Sequence, residues 1–234
     1  MRNLKLLVCC EESQRVCSAF RQRGWEAYSC DIMPESGGHP EWHIQQDVLP
    51  LINGDCEFVT ADGEKHKIIG KWDMIIAHPP CTYLTVTGNR WFNVEQYGDK
   101  AIQREKDRKN AIKFFMRFVN ADCGNIAIEN PIGVMSTTYR KPNQIIHPYM
   151  FGDPERKGTC LWLKGLPELK PTNIVEPQVI VYKNGKGTDS PWHMNTLGLP
   201  KAERAKLRSK TFPGIAQAMA EQWGGYIERL NEDF

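Results

Sequence analysis

Two proline-locked polar turns carry the residue types that could do chemistry. In "MIIAHPPCTYLTVTGNRWF" (74–92) an apolar run stops at His78, and Cys81 directly follows Pro79 and Pro80. Two successive prolines fix φ twice and remove two backbone donors, so whatever follows them is held stiffly. A cysteine is a nucleophile only as thiolate, and positions near helix N-termini or cations favour that form. In "GNIAIENP" (124–131) a second apolar run ends in Glu129 and Asn130, again closed by a proline. A carboxyl group beside a thiolate in one crevice is equipped to protonate a ring nitrogen while the sulfur adds to the ring. Each residue alone has an ordinary alternative, a structural cysteine and a solvated or salt-bridged glutamate. The conjunction is what points to chemistry.

Such turns need a scaffold, and the order of elements supplies one. Residues 4–10 form a short buried-strand candidate, and 13–24 have helical spacing of Val16, Ala19 and Phe20 with a stop at Gly24. Residues 25–32 are the next strand, ending in Asp31, and a Pro/Gly/His loop then precedes "IQQDVLPLI". After the buried strand at 72–80 comes the clearest amphipathic helix, 101–119, with Ile102, Ile112, Phe115, Met116 and Val119 on one face. A strand at 124–131, another within 158–166, a basic helix at 201–210 and a helix beginning near Pro213 complete the chain. This alternation predicts an α/β fold with a mostly parallel sheet and helices on both faces. In such sheets ligands bind outside the carboxyl ends of the strands. Glu11, Glu12, Asp31, Asp47, the Pro79-Pro80-Cys81 turn and Glu129-Asn130-Pro131 are therefore expected to converge on one edge.

Composition limits the function classes. The chain has 234 residues, 41% hydrophobic and 25% charged, which suits one domain or one domain with a small appendage. No apolar run approaches the roughly 18–20 residues of a membrane helix, and the apolar stretch at the N-terminus is too short for a signal peptide. The eight cysteines are scattered without repeated CxxC pairs, which suits a reducing, cytoplasmic setting. His39 and His43 have metal-like spacing but no evident third ligand, so no metal is expected. Charge is uneven: residues 140–210 hold 13 Lys+Arg against 6 Asp+Glu, whereas residues 1–139 hold 16 against 18. A basic segment of this kind suits either a polyanion surface or an ordinary solubilising one.

"PPC" after an apolar strand, with "ENP" at the end of the next, resembles the fourth and sixth motifs of the cytosine-C5 DNA methyltransferases, usually Pro-Cys and Glu-Asn-Val. The phrases "AHPPCTYLTVTGNRW", "IAIENPIG" and "FGDPERKGTCLWLKGLP" are similar to a short phage- or prophage-type branch of DNA methylases. The resemblance implies a Rossmann-like S-adenosylmethionine-dependent methyltransferase fold acting on DNA in a bacterial or phage-infected cell, with restriction–modification as one setting. It implies that Cys81 adds to C6 of cytosine, that Glu129 hydrogen-bonds or protonates N3, and that Asn130 helps hold the loop bearing Cys81. Asp31 would take the ribose hydroxyls of S-adenosylmethionine and Asp47 the adenine amine. Ser13, Ile32, Val48 and the backbone around Pro79 would complete the cofactor set. The loop after Cys81 would close over a base flipped out of the duplex. "TFPGIAQAMAEQW" resembles the C-terminal helix that closes the cofactor pocket.

The chain departs from that pattern in three places. Where the family has a glycine-rich first turn, this sequence has "CCEESQRV", and Glu11 or Glu12 would bind the methionine amine instead. Where the eighth motif supplies an arginine, Lys157 or Arg156 would take the cytosine O2 contact. The recognition region is short. The implied organisation is a catalytic and cofactor-binding unit at 1–164, a basic recognition segment at 165–210 carrying Tyr182 and Trp192, and a C-terminal helix at 211–234 packing back on the first unit. So short a segment suits either economical DNA recognition or a different substrate, a free nucleotide or RNA. The glycine-free turn leaves open a catalytically weak, nucleic-acid-binding relative. His78 either faces the site or caps its strand, and Trp91 and Phe92 are expected to anchor the loop or join the core rather than stack on a base.

Overall fold

A computed structural model describes residues 3–182, Gly185 and 187–232. Its first nine strands are β1 (Lys5–Cys9), β2 (Glu26–Asp31), β3 (His43–Gln45), β4 (Cys56–Val59), β5 (Lys65–Ile68), β6 (Met74–Ala77), β7 (Ile126–Pro131), β8 (Gln144–Ile146) and β9 (Thr159–Lys164). Seven of them form one sheet in the order β3-β2-β1-β6-β7-β9-β8. From β3 to β7 every pairing is parallel, and β9 runs antiparallel to both β7 and β8. The fold is thus α/β with a mostly parallel sheet. Chain order reverses between β1 and β6, the switch point at which open α/β sheets bind ligands.

The helices are α1 (Arg15–Gln22), α2 (Val94–Tyr97), α3 (Asp99–Val119), α4 (Met135–Thr138), α5 (Pro191–Asn195), α6 (Lys201–Ser209), α7 (Pro213–Met219) and α8 (Gly225–Glu232). Strand side chains alternate between two cores, as a sheet covered on both faces requires. On one face Leu6, Val8, Met74, Ile76 and Ala127 pack with Val16 and Phe20 of α1 and with Ile215, Met219 and Trp223 of the C-terminal helices. On the other, Leu7, Cys9, Ile75, Ala77, Ile126 and Ile128 pack with Phe115 and Phe118 of α3 and with Phe58 and Ile68 of the β4–β5 hairpin.

Three details differ from the sequence reading. Ile102 is 45% exposed; Ala101, Phe115 and Phe118 are the buried face of α3. Only the C-terminal half of α3 lies over the sheet, and its first half packs against the loop after Cys81, through arginines described below. The hairpin β4–β5 fills a stretch with no expected element. The expected continuous tail helix is α7, a π-helical turn (Ala220–Gly224) and α8, with Trp223 buried and its Nε1 donating to the Pro167 carbonyl at 2.8 Å. In the basic segment, β10 (Ile180–Val181) pairs antiparallel with β11 (Thr188–Asp189). Lys183, Asn184 and Lys186 lie outside the described residues.

Candidate active site at the switch point of the sheet

The site begins with the register of β6 and β7. Ala77 pairs with Ile128, so His78, the first residue past β6, comes alongside Glu129, which stays in the sheet with Asn130 and Pro131 through their pairing with β9. The His78 N–H still donates to the Cys9 carbonyl at 2.9 Å, continuing the β1–β6 ladder by one rung before the prolines end it. His78 Nδ1 lies 3.0 Å from Glu129 Oε2, with both side chains 11% exposed. Asn130, which is buried, donates from Nδ2 to the Pro79 carbonyl at 2.7 Å. The end of β7 and the Pro79–Pro80 turn are therefore joined twice, by an ion pair and by an amide.

Beyond Pro80 the chain makes a tight turn in which the Cys81 carbonyl accepts from the N–H groups of Leu84 (2.9 Å) and Thr85 (3.0 Å). The loop is fastened on both sides. Thr85 bridges Gly133, where an added Cβ would lie 2.0 Å from the Leu84 carbonyl oxygen, so only glycine permits this approach. From α3, Arg104 donates to the Thr82 carbonyl at 3.0 Å, and Arg108 donates to the Tyr83 carbonyl and to Asn89 at 2.9 and 2.8 Å. The Phe92 ring lies under both guanidinium groups, so Phe92 anchors the loop, whereas Trp91 is 42% exposed. These arginines were not singled out in the sequence, although their i,i+4 spacing puts them on one face.

Cys81 itself is exposed at the floor of this arrangement. The surrounding protein pushes its thiol pKa up; Lys157 opposes that shift and Glu129 adds to it. Glu129 is held below the ordinary carboxyl range: burial works against this but is outweighed by His78 and Lys157. His78 is likewise raised, because Glu129 and Glu11 outweigh burial and the repulsion of Lys157. Lys157 is thus the cation that acts on Cys81, Glu129 and His78 together. Its Nζ donates to the Arg208 carbonyl at 3.2 Å and lies 5.6 Å from the Trp192 ring. Arg156, by contrast, is exposed and its charge acts on His147.

The glycine-free turn after β1 achieves its bend by another route. Cys10 and Gln14 take left-handed conformations, with φ of 60° and 56°. Such conformations cost about 1 kcal/mol or more for an ordinary residue and need support from their surroundings. Gln14 has that support: its buried amide donates to Ser29 Oγ (3.3 Å) and the His39 carbonyl (2.8 Å) and accepts from the His39 N–H (3.1 Å). The bend lets Glu11 cap α1, accepting from the N–H groups of Val16 (2.7 Å) and Cys17 (3.1 Å). Burial nevertheless pushes the Glu11 pKa up to about 7. Glu12 is different. Both of its oxygens are buried without a hydrogen-bond partner, and the nearest cation, Lys206 on α6, is 3.7 Å away.

The remaining expected cofactor residues fall around the same edge. Asp31 and Asp47 both act on the half-buried Cys10 thiol, and Asp31 also feels Glu12, so the ends of β1, β2 and β3 do converge. One Asp31 oxygen accepts from the Met33 N–H at 2.9 Å and one Asp47 oxygen from the Leu49 N–H at 3.1 Å. Ile32 and Met33 are 73% and 52% exposed, an apolar platform beside Asp31. Val48, only 4% exposed, is committed to the core with Leu51 and Ile52. The Pro79 carbonyl is taken by Asn130. Ser13 lines a cleft of about 440 Å³ with Gln14, Arg15, Ser36, Lys210 and Pro213. His43 is buried, between Ser29 Oγ and the Met33 carbonyl at 2.9 Å each, and His39 stacks on Trp42. Among the described residues no group of three or more His, Cys, Asp or Glu could hold a metal ion, and no helix is long and apolar enough to cross a membrane.

No protein-family model and no curated protein matches this chain. Among solved structures, it is similar to a prophage-encoded E. coli protein provisionally described as a DNA modification methyltransferase, with a TM-score of 0.40, 14% sequence identity and coverage of 74% of this chain. The match covers 52% of that protein, so this chain spans about half its length. So distant a likeness adds no weight to the geometry above.

Proposed function

We propose that this chain is an S-adenosylmethionine-dependent DNA methyltransferase that methylates C5 of cytosine through a covalent bond from Cys81 to C6. The observation that carries the reading is the grouping of Cys81, Glu129 and Lys157 at the ends of adjoining strands, with Asn130 bonded to the turn that presents the thiol. A thiol, a carboxyl group and a cation around one exposed floor are what addition to a pyrimidine requires. The thiolate forms the new bond, the carboxyl group serves N3, and Lys157 stabilises charge at O2. In this reading Arg156 stands outside the site.

The residues at the edge fit the cofactor. The carboxylate of Glu12, which has no hydrogen-bond partner and only the long ion pair to Lys206, suits the methionine ammonium, Asp31 the ribose hydroxyls, and the exposed Ile32 and Met33 the purine face. Glu11, by contrast, is occupied in capping α1. When bound, S-adenosylmethionine supplies an electrophilic methyl group. The chain's own residues orient the base, raise the nucleophilicity of C5 by adding sulfur at C6, and hold the proton at N3.

Incubation with methyl-labelled S-adenosylmethionine and mixed-sequence duplex DNA, followed by nucleoside analysis, tests the proposal. Label in 5-methylcytosine, abolished by Cys81→Ser with folding and cofactor binding retained, is expected. Label on an exocyclic amine instead, or none on DNA, overturns it. The small recognition segment, a two-stranded hairpin and two short helices, favours as second reading a single strand, RNA or free nucleotide. Faster transfer to those than to duplex would establish it.

A further inference from the structure

We propose that His78 is a positioning residue that holds the proton Glu129 hands to the pyrimidine, so that the two side chains act as one acid. This rests on the cytosine-C5 reading of the site. The geometry is a close pair, Nδ1 to Oε2 at 3.0 Å, at the mouth of the parallel β6–β7 seam and 11% exposed on each side. The His78 backbone is fixed by its bond to the Cys9 carbonyl and by Pro79 behind it, so the imidazole approaches Glu129 from a rigid position. His78 Nε2 and Glu129 Oε2 are both buried without a hydrogen-bond partner, so the only group facing Nδ1 at close range is the Glu129 carboxylate of the 3.0 Å ion pair, and no other side chain dictates the tautomer.

The groups facing His78 come from three elements. Glu129 faces it from β7, Glu11 from the turn after β1, and Lys157 from the segment before β9. Two carboxyl groups against one ammonium favour a protonated imidazole beside an ionised carboxylate. A lone ionised Glu129 has nothing to give N3, whereas the pair carries one transferable proton. In the reaction the Cys81 Sγ–C6 bond forms as the C5–C6 π electrons shift toward N3. The single proton of the pair passes from His78 Nδ1 to the Glu129 carboxylate, and the carboxyl group so formed delivers it to N3. The imidazole is left neutral and the carboxylate ionised. After the methyl group is in place and the C5 proton is lost to solvent, elimination regenerates the Cys81 thiolate, and N3 returns its proton to the pair.

The experiment pairs a titration with a rate ratio. Imidazole NMR of the full chain, with His78 assigned by its loss in His78→Gln, should show His78 titrating above the ordinary histidine value of 6.5, and below it in Glu129→Gln, where burial remains and the partner charge is gone. Single-turnover methyl transfer is then compared for wild type and His78→Gln across pH. The wild-type to variant ratio is expected to be lowest in acid and to grow about tenfold per unit of lowered pair pKa before levelling off, because the thiolate requirement is common to both and cancels. A purely structural role for His78 gives a ratio independent of pH, which overturns the proposal. So does a His78 titration unmoved by Glu129→Gln, a result that stands even if the glutamine variant of His78 folds poorly. Absence of transfer to DNA by the wild type, with the His78–Glu129 titration intact, overturns the substrate reading and leaves the pair in place.

Discussion

Asn130 Nδ2 donates to the Pro79 carbonyl at 2.7 Å, inside the protein, and so ties the end of β7 that presents Glu129 to the turn that presents Cys81. Pro79 and Pro80 supply no N–H to continue the β6 ladder, and the asparagine amide of β7 supplies a cross-link in its place. Replacing it strands a buried carbonyl. Asn130→Ala is expected to cost about 1–3 kcal/mol of stability and to lower methyl transfer more than cofactor binding. Chemical denaturation and calorimetry on the same preparation separate the two effects.

Gly133 sets the position of the loop on the other side of Cys81. An added Cβ would meet the Leu84 carbonyl oxygen at 2.0 Å, so Gly133→Ala must push the Thr85–Gly133 bridge apart. A destabilisation of about 1–3 kcal/mol is expected, as for other forced overpacking. Faster hydrogen exchange at Leu84 and Thr85, with the β1–β2 edge unaffected, is the signature to measure.

Glu12 is a buried carboxylate with only a cation at 3.7 Å beside it. Glu12→Gln should change the stability of the free protein little, since no hydrogen bond is lost and the removal of a buried charge offsets the loss of the long, half-exposed ion pair to Lys206. It should weaken S-adenosylhomocysteine about 10- to 100-fold, the worth of a hydrogen bond to a charged group. Thermal melts read the first effect and titration calorimetry the second.

Glu11 gives the protein a pH dependence of definite sign. Its folded-state pKa of about 7 stands above the ordinary 4.5, so the folded state binds the extra proton between those values. The Glu11 contribution to stability is therefore full below about pH 4.5 and falls as pH rises to about 7, by roughly 3 kcal/mol in all. Glu11→Gln should flatten that part of the stability profile, measured by denaturant unfolding at several pH values.

Much of the scaffold was legible because burial on both faces leaves a plain signature. The runs at 4–10, 72–80 and 124–131 are short, apolar and stopped by polar or proline residues, and they became β1, β6 and β7. The strand-end residues were legible for the same reason. The β4–β5 hairpin was not, because its strands are four residues each, with Glu57, Val59, Lys65 and Lys67 exposed and only Phe58 and Ile68 buried; the "ADG" at 61–63 was the available turn signal. Ile102 was misplaced because periodicity identifies a helix face but not how far along the helix the sheet extends. Glu11 as a helix cap depends on left-handed Cys10 and Gln14, conformations that sequence favours only for glycine and a few others. Lys206 beside Glu12 is a contact between distant segments, set by how the basic segment folds back across the edge, and the influence of Lys157 on Glu129 depends on β9 lying next to β7, a pairing between segments far apart in sequence.

The central claim is that Cys81 forms a bond to a cytosine ring. Duplex DNA of random sequence with 5-fluorocytosine at every cytosine position blocks loss of the C5 substituent and so retains the adduct. After incubation with S-adenosylmethionine, denaturing mass spectrometry should find protein covalently joined to DNA, with the bond on the peptide containing Cys81 and none formed by Cys81→Ser. Methyl transfer to unmodified DNA without any trapped adduct, or an adduct on another of the eight cysteines, would contradict the account.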